Sequence, residues 1–121
     1  MINEGIDVLF LQPVDRNKVR PALELCKKKH IPVVVIDSEV SDTEAVVSTI
    51  VSDNYDAGVQ CAKDMMKKKT SANIIIVNQK ALNSINERVK GFRDTIKGHP
   101  QYKIVEEKES AAEFEIAMKV M

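Results

Sequence analysis

Two charged residues, one where the chain leaves an apolar run and one near the start of a helical pattern, could hold a polar ligand. Asp37 follows "IPVVVI" with no glycine and no turn signal between them, and Ser38 and Glu39 come directly after it. Arg88 lies in "SINERVKGF", in or just after the first turn of a helical pattern that succeeds the apolar run "NIIIV". An ionised carboxylate only accepts hydrogen bonds, whereas a guanidinium presents five donors in a planar fork suited to a carboxylate, a phosphate or a vicinal diol. The helix dipole mildly disfavours a cation at that end. Arg88 is therefore either a surface accident or a donor aimed at a ligand, and Asp37 either opens a solvated loop or lines a site.

What decides between these readings is the set of elements that would position the two residues. "IDVLFLQP" is a short apolar run stopped by Pro13, and Val19, Ala22, Leu23 and Cys26 then follow at i, i+3, i+4 and i+7, one face of a helix. Pro21 fits the first turn of that helix, where a missing N–H costs nothing. "KKKH" places cations at its end. "IPVVVID" reads as a strand buried on both faces, as in a parallel sheet. Strand, helix and strand within about 30 residues make a βαβ unit. Ligands on open parallel sheets bind outside the carboxyl ends of the strands, where Asp37 emerges.

The remainder repeats the alternation. "EAVVSTIVSDN" reads as a strand less completely buried than "VVVI", because Ser48, Thr49 and Ser52 interrupt it. "YDAGVQCAKDMMKKK" is a helix with Gly58, Cys61, Ala62 and Met65 on one side, its two methionines acting as core filler. "NIIIVNQK" is a further buried strand. Ser84 and Glu87 have the spacing of a capping box, which starts a helix carrying Ile85, Val89, Phe92 and Ile96, and Gly98 with Pro100 closes it. "YKIVEEK" is a strand, and Ser110 with Glu113 begins a last helix bearing Phe114, Ala117 and Met121.

Composition excludes several function classes. The 121 residues are about one domain's worth, and 18 basic residues balance 18 acidic ones, so no bulk field draws the chain to nucleic acid or to an anionic membrane. The longest apolar runs fall far short of the roughly 20 residues that cross a bilayer, and "MINEGID" lacks the pattern of a signal peptide. Cys26 and Cys61 are not arranged as CxxC and read as buried free thiols rather than a bridge or metal ligands. Against an enzyme, there is no GxGxxG and no phosphate-cradling glycine loop, and His30 and His99 read as surface residues away from any nucleophile.

"GIDVLFLQPVD", "IPVVVIDSE", "IVSDNYDAG" and "NERVKGF", in this order and spacing, resemble the type I periplasmic sugar-binding proteins of ABC transporters, above all the ribose-binding branch. The resemblance covers essentially the whole chain. It implies an α/β fold of parallel-sheet βαβ units drawn from two lobes that the chain connects through a three-stranded hinge, with residues 1–52 in the N-terminal lobe and 53–121 in the C-terminal lobe. It also implies that Asp37, Asn54 and Arg88 bind a monosaccharide, the carboxylate accepting from hydroxyls and the guanidinium donating to them, with no cofactor, metal or covalent step. The implied partners are a sugar and an ABC transporter permease, and the implied location of the parent protein is extracytoplasmic, in the periplasm or on a lipid anchor.

Two departures from the family pattern stand out. Ser38 replaces the arginine that ribose-binding members carry beside the aspartate, which removes one donor. The family's opening βαβ unit would precede Met1 and the rest of its second lobe would follow Met121, so the fold is expected to be incomplete, with uncovered surfaces through which the chain self-associates and with weak sugar binding on its own. The competing assignment is the effector-binding core of a transcription regulator of the lac-repressor type, which shares the two-lobed fold and would add a DNA partner.

Overall fold

The computed structural model describes residues 2–110 and 113–120. They divide into two compact units. The first runs up to Ser52 and takes in Ala81–Ser84; the second holds Asp53–Lys80 and the chain from Ile85 onward.

The first unit is built on the βαβ unit expected from periodicity. Strand β1 (Leu9–Leu11), helix α1 (Arg20–Lys28), strand β2 (Val33–Ile36) and strand β3 (Ser48–Ile50) form a parallel sheet in the order β1-β2-β3. Pro21 lies in the first turn of α1, where no intrahelical donor is lost. The other end closes with crossed bonds, from the Ile31 N–H to the Cys26 carbonyl at 2.9 Å and from the His30 N–H to the Lys27 carbonyl at 3.2 Å. His30 occupies the left-handed position usually given to glycine, at φ 56°. The core gathers Leu23, Cys26, Ile31, Val33, Val35 and Val40, with Leu9, Leu11 and Val19 packed against them.

Only one face of this sheet is covered. Burial alternates along β2, with Val33 and Val35 sealed and Val34 and Ile36 intermediate, and on the neighbouring strands Phe10 is 64% and Ile50 61% exposed. The expectation of a strand buried on both faces is therefore corrected: α1 supplies one covering layer, and no described helix supplies the second. β3 is shorter than its β-branched stretch suggested and exposed throughout.

The second unit pairs strand β4 (Ala72–Asn78) in parallel with strand β5 (Tyr102–Glu109), with a register shift between Ile74 and Ile75. Helices α2 (Asn54–Lys68) and α3 (Asn83–Ile96) flank β4 in sequence, and α4 (Phe114–Val120) follows β5. Ala62, Ile96 and Tyr102 are buried, surrounded by Met65, Met66, Ile74, Phe92 and Ile104, so the methionines do fill the core. The Tyr102 hydroxyl donates to the Lys69 carbonyl at 2.6 Å, satisfying the polar tip of a buried ring.

Here too a strand read as buried shows one open face. Ile75 is 55% and Val77 42% exposed, because β4 alternates and its second face has no described cover. Cys61, expected inside, is exposed, while Cys26 is buried as expected. Helix α3 starts at Asn83, one residue before the anticipated Ser84. The last helix begins beyond Ser110 and Glu113, and Met121 lies outside the described residues.

Candidate functional site

In the first unit the carboxyl ends of adjacent parallel strands bring Gln12 and Asp37 together. Gln12 directly follows β1 and Asp37 directly follows β2, and the Gln12 Nε2 donates to Asp37 Oδ2 at 3.1 Å. The Asp37 backbone is left-handed, at φ 70°. Its own N–H donates to the Ile50 carbonyl at 2.9 Å, and the next N–H, that of Ser38, turns back to the Ile36 carbonyl at 2.8 Å. A bond from residue i+2 to residue i around a positive φ is a γ-turn of the rare, strained hand, and such backbone costs on the order of 1–3 kcal/mol. This turn explains how the four-residue apolar run Val33–Ile36 becomes a charged edge without glycine: the chain reverses within one residue, and Asp tolerates the left-handed region better than most side chains.

Ser38 turns away from this edge. It is 1% exposed, and its Oγ accepts from the Ser84 N–H at 3.3 Å, so a side chain from distant sequence satisfies an otherwise unpaired donor in the first turn of α3. Asn83 donates to Glu39 Oε2 at 2.8 Å and accepts from Arg16 Nη1 at 3.4 Å, and the Arg16 N–H donates to the Ala81 carbonyl at 3.2 Å. Segment 81–84 is thereby bound to the first unit, an attachment that no spacing in the sequence indicated. A nearby depression of about 570 Å³ is lined by Arg16, Arg20, Asp42 and Glu44 and includes none of the anticipated ligand residues. Its charge is paired, with Arg20 contacting Glu24 at 3.1 Å and Asp42 at 3.6 Å.

In the second unit Asn54 and Arg88 meet. The Asp53 side chain caps α2 by accepting from the Asp56 N–H at 2.9 Å. Asn54 is the first residue of α2 and is buried, and its Oδ1 accepts from Arg88 Nε at 2.8 Å. Arg88 itself is exposed on the second turn of α3. Using Nε for this bond fixes the plane of the fork while engaging one of its five donors. The helices touch closely at this level: a Cβ added to Gly58 would lie 2.0 Å from the Arg88 carbonyl oxygen, and one added to Gly91 would lie 2.1 Å from that of Tyr55.

Elsewhere the electrostatics are structural. Glu107 on β5 is held below the usual carboxylate range by its hydrogen bond from Asn78, with the charges of Arg93 and Lys80 acting in the same sense against partial burial. Asp15 is lowered by the N–H groups of Asn17 and Lys18, which it accepts at 2.9 and 3.1 Å. Among the described residues, no group of three His, Cys, Asp or Glu side chains could hold a metal ion.

Of the three anticipated ligand residues, Asn54 and Arg88 are in direct contact, and Asp37 stands in the other unit beside Gln12. Gln12 was missed, yet its signal was present: "LFLQ" ends on a polar residue as "VVVID" does.

The pattern of the periplasmic binding protein domain matches residues 1–121. The chain belongs to the periplasmic binding protein domain family. This periplasmic binding protein domain is 31% identical over 98 residues to the ribose import binding protein of Haemophilus influenzae, covering 78% of the chain and 33% of that relative. It is 28% identical over 109 residues to the galactofuranose-binding protein of Escherichia coli K12, covering 86% of the chain and 34% of the relative. Among solved structures, an ABC transporter solute binding protein from Agrobacterium vitis with bound D-fucose superposes with a TM-score of 0.85 at 28% identity, over 98% of this chain and 42% of that one. The family fold is thus the α/β architecture of parallel strands expected from the sequence, and the domain spans about a third of the length of the curated relatives it matches.

Proposed function

We propose that this domain contributes part of the ligand-binding wall of a solute receptor that delivers a monosaccharide to an ABC transporter outside the cytoplasm, without catalysing a reaction. Asp37 is the acceptor, supported by Gln12, and Arg88, oriented by Asn54, is the donor. One observation carries the reading: a carboxylate is held in strained left-handed backbone at the carboxyl end of a parallel sheet, geometry that a solvated loop does not require. A sugar hydroxyl both donates and accepts, so an acceptor-only carboxylate and a donor-only guanidinium together serve both needs, through charge-assisted bonds. Ribose and galactofuranose in the names of the relatives favour a sugar, and import binding proteins as relatives favour a receptor over a transcription regulator.

Calorimetric titration of the natural protein containing these residues, against pentoses, hexoses and inositols, tests the assignment. Tight binding of one sugar, lost in both Asp37→Ala and Arg88→Ala, is expected; binding of none, or binding untouched by either change, refutes it.

We also propose that these 121 residues by themselves associate with a second copy. The apolar sheet faces around Phe10 and Ile50, and around Ile75 and Val105, are the contact surfaces, and each copy offers the other the same strips. A monomer by light scattering at high concentration would exclude this.

A further inference from the structure

We propose that Gly58 and Gly91 are positioning residues for the ligand-binding pair Asn54 and Arg88, and that their missing side chains set the separation at which Arg88 Nε reaches Asn54 Oδ1. The role rests on the function proposed for that pair, but the geometry behind it stands independently. Each glycine faces backbone of the opposite helix: Gly58 on α2 meets the carbonyl of Arg88 itself, and Gly91 on α3 meets the carbonyl of Tyr55, the residue next to Asn54. The two close approaches therefore bracket the Asn54–Arg88 bond from both helices.

Flexible side chains could swing away from an added methyl, but these neighbours are main chain. A Cβ at 2.0 or 2.1 Å from a carbonyl oxygen cannot reach ordinary contact unless the helices separate by roughly 1 Å or more. With the Arg88 rotamer unchanged, the hydrogen bond at 2.8 Å would then stretch to roughly 3.8 Å, beyond hydrogen-bonding reach. Neither glycine has a positive φ, so left-handed backbone does not account for them. A second tie lies farther along the same helices, where the Tyr55 hydroxyl donates to Asp94 Oδ2 at 3.1 Å and Lys90 Nζ sits 5.7 Å from the ring centre. That tie joins a different pair of side chains and involves neither Asn54 nor Arg88.

The test is nitrogen-15 NMR of the chain as it stands, reading hydrogen exchange of the Arg88 Nε–H in the parent sequence, in Gly58→Ala and in Gly91→Ala. The backbone spectrum is recorded alongside as the measure of folding. In the parent the Nε–H is expected to exchange about five- to tenfold more slowly than in free arginine, in keeping with a modest net hydrogen bond. In each variant the protection is expected to vanish while the backbone spectrum stays dispersed. Protection kept in the variants would overturn the proposal, as would its absence from the parent. Loss of the fold in both variants would overturn it equally, since the crossing would then hold the unit together rather than tune the pair. None of these readouts involves sugar, so failure of the sugar assignment in calorimetry and failure of the glycine role are separate results.

Discussion

The two units present polar groups by opposite means. The first fixes Asp37 with backbone, through a one-residue turn closed by main-chain bonds from Asp37 and Ser38, over a core in which Leu23, Cys26, Val33 and Val35 are fully buried. The second fixes Arg88 with side-chain and helix contact, through Asn54 and the glycine crossing, over a core in which Ala62 alone, among the described buried apolar residues, is at 0% exposure. A strained turn requires a firm base, because its cost is met by the packing beneath it. A side-chain pair across two helices needs close approach more than deep burial.

The sharpest way to break this contrast is to weaken the firmer base. Leu23→Ala is expected to lower stability in urea unfolding by about 2–5 kcal/mol, whereas Ile75→Ala, on the open face of the second unit, should change it by about 0.5 kcal/mol or less. Equal effects would remove the difference between the units. Next in size is the turn itself. Asp37→Gly is expected to raise the unfolding free energy by about 1 kcal/mol, because glycine accepts a positive φ without steric cost, while abolishing any ligand binding that depends on the carboxylate. A loss of stability instead would mean that the Gln12 contact outweighs the strain. The smallest effect concerns acid. Glu107 titrates below its ordinary value in the folded chain, so its contribution is present above the unfolded-state pKa and is lost as pH falls through the usual glutamate range toward the folded value. Acid unfolding of Glu107→Gln should therefore depend less steeply on pH in that window; an unchanged slope would place the acid sensitivity elsewhere.

Periodicity made the βαβ unit legible, because a helical stripe between two apolar runs has few other uses. The same runs misled on burial. Val34, Ile36, Ile75 and Val77 are apolar on strand faces that no described helix covers, and an apolar side chain signals the environment it suits rather than the cover it has. Asp37 was visible because charge follows apolar chain abruptly there, and Arg88 because a cation stands near the start of a helical pattern, where the dipole mildly disfavours it. The γ-turn was not, since it is made by main-chain groups that carry no side-chain signal, and neither were the inward Ser38 and the attachment of residues 81–84, since both depend on bonds between residues far apart in sequence. Gly58 was readable as part of a helix face, but what it touches is decided by a second helix.

The left-handed backbone at Asp37 also limits how this position can vary. Few side chains tolerate that conformation, and of these glycine offers no side-chain acceptor at all and histidine, as at His30, no carboxylate or amide oxygen, leaving aspartate and asparagine as the practical repertoire for an oxygen acceptor. A lineage adapting this edge to a new ligand would thus leave Asp37 nearly fixed and record its changes at neighbours under no such restriction, so divergence should collect around an almost unvarying point.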